Sequence, residues 1–148
     1  MAEQNSDKIE NAEKEDPVIS VVIPLFNERE SLTDLTNRID DALKDYTHEI
    51  IFVDDGSDDG SWGLVESLSG EKGHVRGIKL RRNYGKSSAL EAGFSSASGD
   101  YVVTMDADLQ DDPFEIPGMV ETLKGGADLV SGWKKIRHDP VSKTVPSR

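Results

Sequence analysis

Val18-Ile19-Ser20-Val21-Val22-Ile23, stopped by Pro24, is the stretch on which the fold turns. A short β-branched run bounded by a proline fits a strand buried on both faces, not one that alternates between core and water. Directly after it the period changes. Leu32, Leu35, Ile39 and Leu43 recur at helical spacing, with Ser31 placed as an N-cap. The same alternation then repeats along the chain. Glu49-Ile50-Ile51-Phe52-Val53 reads as a second strand, ended by Asp54-Asp55-Gly56-Ser57, and Trp62, Val65 and Leu68 mark a short helix. Val75 to Leu80 reads as a third strand, and Lys86 to Ala97 as a helix with Leu90, Phe94 and Ala97 on its apolar side. Tyr101-Val102-Val103-Thr104-Met105 reads as the most apolar central strand. Ile116, Met119, Val120 and Leu123 stripe the next helix, and Ala127 to Ser131 gives a fifth strand. Repeated β-then-α units predict an α/β fold with a Rossmann-like, doubly wound, mostly parallel sheet. Upstream, Met1 to about Asp16 is acidic with almost nothing apolar, and reads as a disordered tail before a domain over residues 17–148.

Composition narrows the function. The chain has 148 residues, with 17 Lys+Arg against 29 Asp+Glu and a formal net charge of −12. A nucleic-acid footprint is normally basic, so phosphate-backbone binding is disfavoured. No stretch has the length of a membrane span or the centre of a signal peptide, and the chain reads as soluble and cytosolic. Cys is absent, which removes disulfides, thiolate metal sites and cysteine nucleophiles together.

In open parallel sheets ligands bind beyond the carboxyl ends of the strands. Polar clusters fall there: Asn27-Glu28, Asp54-Asp55, Arg81-Arg82-Asn83-Tyr84-Gly85-Lys86, and Asp106-Ala107-Asp108-Leu109-Gln110. If the chain stays extended after the fourth strand, Asp106, Asp108 and Gln110 point the same way. Three hard oxygen ligands suit Mg²⁺ or Mn²⁺. The plainer reading is an acidic turn, with Asp111 and Asp112 capping a helix that starts near Pro113. Two look-alikes fail on context. Asp55-x-Ser57-x-Asp59-Gly60 with Glu66 nearly spells a calcium loop, but a strand and not a helix precedes it. Gly85-Lys86-Ser87 echoes a P-loop whose first glycine would fall on Leu80. Near the end, Lys134, Lys135, Arg137, Lys143 and Arg148 oppose only Asp139, a cationic segment suited to an anionic partner. His48, His74 and His138 are scattered and receive no role, while Trp62 and Trp133 read as packing residues.

Four motifs in order carry a resemblance: Val21-Val22-Ile23-Pro24-Leu25-Phe26-Asn27-Glu28, Val53-Asp54-Asp55-Gly56-Ser57, Arg82-Asn83-Tyr84-Gly85-Lys86, and Asp106-Ala107-Asp108-Leu109-Gln110-Asp111-Asp112-Pro113. From about Val18 to Arg148 the chain resembles the family 2 glycosyltransferases of GT-A fold, and within them the polyprenyl-phosphate mannose and glucose synthases. The resemblance implies a nucleotide-sugar pocket made by Pro24, Phe26, Asn27, Glu28, Val53, Asp55, Lys86, Asp106, Ala107 and Asp108. It implies Mg²⁺ or Mn²⁺ on Asp106, Asp108 and Gln110, and catalytic roles for Asp106, Asp108 and Lys134. Lys134, Lys143 and Ser147 would meet the acceptor phosphate, although many relatives have Arg where Lys134 stands. The family continues past Ser147-Arg148 toward the membrane, so a catalytic core without its anchor is expected, working at the cytoplasmic face. The implied reaction is metal-dependent, inverting transfer of a hexose from GDP-mannose or UDP-glucose to a polyprenyl phosphate. Three alternatives stand beside it: transfer to a sugar hydroxyl, a non-catalytic nucleotide-sugar or lipid-phosphate binding module, and a phosphohydrolase with Asp106 as nucleophile.

Overall fold

The computed structural model describes residues 18–126. Strands β1 (Ile19–Leu25), β2 (His48–Asp54), β3 (Val75–Lys79) and β4 (Tyr101–Thr104) form one parallel sheet in the order β3-β2-β1-β4. Helices α1 (Leu32–Ala42), α2 (Ser61–Glu71), α3 (Lys86–Ser96) and α4 (Ile116–Lys124) follow the strands in turn, with 3₁₀ turns at Arg29–Ser31 and Pro113–Glu115. This is the doubly wound α/β arrangement the sequence predicts. The acidic tail and the fifth strand expected over Ala127 to Ser131 lie outside the described residues.

The two-residue period of the strands divides the core. Ile19, Val21, Ile23 and Leu25 enter the larger cluster with Leu32, Leu35 and Ile39 of α1, Val65 and Leu68 of α2, and Ile116 and Val120 of α4. On the other face Val22, Ile51 and Val53 meet Ala89 of α3. Burying a side chain such as Leu35 or Ile39 contributes about 1.5–3 kcal/mol. Helices therefore cover both faces, and every strand points its carboxyl end at the same rim.

Four local expectations are corrected. Pro24 does not stop β1, which runs on to Leu25. Val22 O accepts from Met105 N at 3.1 Å while Leu25 O accepts from Asp55 N at 2.9 Å, so Val22 and Pro24 turn their backbone toward β4. The paired part of β4 ends at Thr104, opposite Val22, so the proline leaves no ladder donor missing. Second, of the apolar side expected for α3, Leu90 and Ala97 pack partly buried against the sheet but Phe94 is 48% exposed, and the fully covered positions are Ala89 and Gly93. A Cβ on Gly93 would lie 2.3 Å from Val22 Cγ1, so the helix rests on the sheet where side chains are smallest. Third, β4 stands at one edge of the described sheet, with β3 at the other; Val102 is exposed, and the most buried strands are the central pair β1 and β2. Fourth, Ser31 occupies the N-cap position of α1 without capping it. Its one hydroxyl hydrogen is shared between Glu28 O and, across the rim, Ala107 O.

Under α3 the sheet also carries a buried carboxylate. Glu49 accepts from Ser20 Oγ (2.6 Å), Ser98 N (2.8 Å) and Arg76 Nη2 (2.8 Å), and Arg76 continues to Ser96 O (2.7 Å). Burial pushes the Glu49 carboxyl up, but the Ser20, Ser98 and Arg76 donors outweigh it and hold it below its usual range. This network fixes the link between α3 and β4, and through it the strand that delivers Asp106.

Candidate functional site

A cavity of about 400 Å³ opens at the carboxyl rim of the sheet, a size suited to an organic ligand. Pro24, Leu25, Phe26 and Glu28 line it from the end of β1, and Asp55 from the end of β2. Asn83, Gly85 and Lys86 come from the β3–α3 link, and Asp106, Ala107 and Asp108 from the end of β4.

The wall is held by backbone donors. Asp55 accepts from Tyr84 N at 2.8 Å and from Gly85 N at 3.0 Å, one bond to each carboxylate oxygen. It thereby fastens the β3–α3 link to β2. Gly56 makes this possible: its φ is +87°, and a Cβ there would sit 2.7 Å from Arg82 C and Asn83 N. Arg82 in turn stacks over the Tyr84 ring at 4.9 Å. On the other side, Asn27 (φ 55°) donates its N–H to Ser57 Oγ at 2.8 Å, and its Oδ1 accepts from Asp58 N at 2.9 Å. The acidic loop is tied down as well. Asp111 Oδ2 accepts from Asp106 N at 2.9 Å, and Asp112 Oδ1 caps the following turn through Phe114 N at 3.0 Å.

Charge gathers at one end of the cavity. Asp106 pairs with Lys86 Nζ at 2.8 Å, and both side chains are substantially exposed. Burial, then the negative charges of Asp108 and Asp59, raise the Glu28 carboxyl above its ordinary range, with Asp106 adding a smaller push. The rim is thus short of positive charge around Asp106, Asp108 and Glu28. Exposed carboxylates on a fixed loop, in surplus over Lys86, their lysine partner among the described residues, are the donor set a hard divalent cation takes. Asp106 and Asp108 fit Mg²⁺ or Mn²⁺.

Of the residues expected at the site, Pro24, Phe26, Glu28, Asp55, Lys86, Asp106, Ala107 and Asp108 line one cavity. Three stand elsewhere. Val53 is fully buried in the smaller core beneath α3. Asn27 is exposed and spends its polar groups joining two loops. Gln110 is exposed and outside the cavity wall, because the chain does not stay extended after β4: it turns at residues 107–108, and Leu109 has φ 66°. Lys134, Lys143 and Ser147 lie outside the described residues. The carboxylates of the calcium-loop look-alike are engaged by other groups, Asp55 by Tyr84 N and Gly85 N and Asp59 by Ser61 N. Sequence reasoning missed Leu25, Asn83 and Gly85 as lining residues, although all three stand inside the motifs at the strand ends. It also left His48 and His74 without a role, whereas the fold brings both to Asp40.

Residues 20–147 match the Glycosyl transferase family 2 profile, and the chain belongs to that family. Among curated relatives, the undecaprenyl-phosphate 4-deoxy-4-formamido-L-arabinose transferase of Pseudomonas fluorescens (strain SBW25) is 46% identical over 133 residues, covering 88% of this chain and 39% of that protein. The protein of the same name from Proteus mirabilis (strain HI4320) is 47% identical, covering 88% and 41%. The chain therefore spans about two fifths of the length of these relatives. Among solved structures, the mannosyltransferase PcManGT from Pyrobaculum calidifontis, in complex with GDP-Man and Mn²⁺, superposes with a TM-score of 0.65 at 24% identity, covering 79% of this chain and 34% of that one. Glucosyl-3-phosphoglycerate synthase from Mycobacterium tuberculosis, bound to Mn²⁺, UDP and glucosyl-3-phosphoglycerate, gives 0.58 at 27% identity, covering 76% and 42%. The fold is that of the GT-A glycosyltransferases.

Proposed function

We propose that this chain forms the donor-binding part of an inverting glycosyltransferase that moves a sugar from a nucleotide diphosphate sugar to a polyprenyl phosphate. The observation that carries the reading is the single cavity in which Glu28, Asp55, Lys86, Asp106 and Asp108 meet at the carboxyl rim. Pro24, Phe26 and Asp55 form the nucleotide side, with Phe26, 45% exposed, offering a ring face to a base. Asp106 and Asp108 would hold Mg²⁺ or Mn²⁺, which supplies positive charge to the donor diphosphate as it leaves. Lys86, at the start of α3, adds a cation on the same side. One oxygen of the acceptor phosphate forms a bond to the anomeric carbon as the bond to the diphosphate oxygen breaks on the opposite face. That phosphate is already ionised near neutral pH, so the step needs no general base. Lys134, Lys143 and Ser147 are assigned to this acceptor phosphate, at the cytoplasmic face of a membrane. Among the described residues no helix is long and apolar enough to cross one.

The relatives' names add 4-deoxy-4-formamido-L-arabinose, a pentose, to the donor sugars worth testing beside GDP-mannose and UDP-glucose. Calorimetric titration with each nucleotide sugar, with and without Mn²⁺, tests the reading. Metal-dependent binding of one donor, lost in Asp108→Asn, is the expected result. Binding that ignores metal and survives Asp108→Asn would overturn the metal assignment, and binding of no donor by a chain extended to the relatives' length would overturn the function.

A further inference from the structure

At the opposite rim of the sheet, a second group of side chains converges. His48 opens β2, His74 precedes β3, and Asp40 stands near the end of α1. Asp40 Oδ1 lies 3.0 Å from His48 Nε2 and 2.7 Å from His74 Nε2, and Asp40 Oδ2 accepts from Lys72 Nζ at 3.1 Å. The two imidazole rings meet edge to face at 4.9 Å. The six residue steps from His48 to Asp54 put this group about 20 Å from the donor cavity.

The protonation chemistry of His48 is the informative detail. Its Nδ1 lies 3.0 Å from Tyr46 O. A carbonyl oxygen only accepts, so Nδ1 must carry a hydrogen. In the neutral ring the remaining nitrogen, Nε2, is then a bare lone pair aimed at a carboxylate oxygen. Two lone pairs face each other at 3.0 Å only when something positive lies between or beside them. Either a second ring proton or a bound metal ion supplies that charge. A ring nitrogen tied to a backbone carbonyl, with the other left free, is also how metal-ligating histidines are oriented.

We propose that Asp40, His48 and His74 form a metal site for a borderline divalent transition ion of the Zn²⁺, Co²⁺ or Ni²⁺ type, separate from the donor-site metal. The ligand atoms all lie within 4.8 Å of one another. Tetrahedral ligands at about 2.0–2.1 Å from an ion stand about 3.3 Å apart, so the two distances from the Asp40 oxygen, 3.0 and 2.7 Å, open by about 0.3–0.6 Å when the ion is bound. Nitrogen donors separate this site from the all-oxygen rim at Asp106 and Asp108, which suits a harder ion. His74 and Lys72 are the most open members, with about a third of each side chain exposed, which leaves room for water as the fourth ligand. Lys72 holds Oδ2 and leaves Oδ1 to the ion, at the cost of cationic repulsion. The ion would join the end of α1 to the starts of two strands.

The test is titration of the whole chain with Co²⁺, followed by the visible absorption of four-coordinate cobalt and by displacement with Zn²⁺. Wild type, Asp108→Asn and His138→Gln are expected to develop the same bands. His74→Gln and His48→Gln should each lose at least about tenfold in affinity, and Lys72→Gln should gain several-fold because it removes the competing charge. Zn²⁺ should also raise the melting temperature of wild type and leave that of His74→Gln unchanged. Circular dichroism of His74→Gln in EDTA separates ligand loss from unfolding, and the Lys72→Gln gain does not depend on that variant. The proposal fails if wild type shows no four-coordinate bands, if they persist in His74→Gln, or if they vanish in Asp108→Asn or His138→Gln.

Discussion

Replacing Gly93 by Ala tests how closely α3 lies on the sheet. The added Cβ would be 2.3 Å from Val22 Cγ1 and 3.2 Å from Val53 Cγ2, against an ordinary contact beginning near 3.4 Å. Val22 and Val53 are both fully buried and β-branched, so neither has a flexible end to swing away. The helix must instead retreat by about 1 Å, and with so close an approach to rigid neighbours the overpacking falls in the upper part of the usual range, about 2–3 kcal/mol. Alanine recovers about 1 kcal/mol of helix propensity over glycine. The net expectation is a loss of about 1–2 kcal/mol, or roughly 3–8 °C in melting temperature. Thermal and urea unfolding followed by circular dichroism measure it. Adding Val22→Ala makes room for the new methyl, so the double variant should be more stable than the sum of the two single losses by about 1 kcal/mol. Because Lys86 begins α3, the single variant should also weaken donor binding. An unchanged or raised melting temperature, or strict additivity with Val22→Ala, would refute the close-packing argument.

Other outcomes follow from the same geometry. Gly56→Ala, with its Cβ forced to within 2.7 Å of the Arg82–Asn83 backbone at positive φ, should cost about 2 kcal/mol and cut donor affinity, read by calorimetry beside unfolding. Glu49 has a folded-state carboxyl held below its usual value of 4.5, so its contribution is present above that pH and is lost as pH falls through the lower folded value. Glu49→Gln should therefore flatten the acid branch of a stability-against-pH curve, while costing about 2–3 kcal/mol at neutral pH. Glu28 is the opposite case: its raised carboxyl makes the ionised form unfavourable above its usual value of 4.5. Glu28→Gln should raise the melting temperature at neutral pH while weakening donor binding, and a lower melting temperature would contradict the electrostatic account.

Much of this arrangement was legible because periodicity and punctuation agree. The valine and isoleucine runs of β1 and β2 announce buried strands, and Asp106-Ala107-Asp108 falls where a parallel sheet presents its ligands. What stayed hidden has a physical reason in each case. The buried face of α3 is made by Ala89 and Gly93, and contact achieved through the absence of side chains leaves no apolar stripe to read. Val53 stands within a binding motif, yet it is still inside β2 and covered by α3, whereas Asp55 lies one residue past the strand end and reaches the cavity. Gln110 was placed by assuming an extended chain, and the positive φ of Leu109 has no signature in a leucine. His48 and His74 are 26 positions apart by their numbering. Only the pairing of β2 with β3 brings them to one aspartate.

The strand order β3-β2-β1-β4 also bears on how the chain leaves a ribosome. β1 emerges first among the described strands but can be paired on both sides only after β4, more than 75 residues later by the register Ile19 opposite Tyr101. During that interval β2 and β3 can assemble on one side of it while its other edge, rich in valine and isoleucine, stays open. An open parallel edge of this composition invites pairing with another nascent chain. Synthesis rate between Asp55 and Tyr101 therefore sets how long that risk lasts, and slow codons would be better tolerated after β4 than before it.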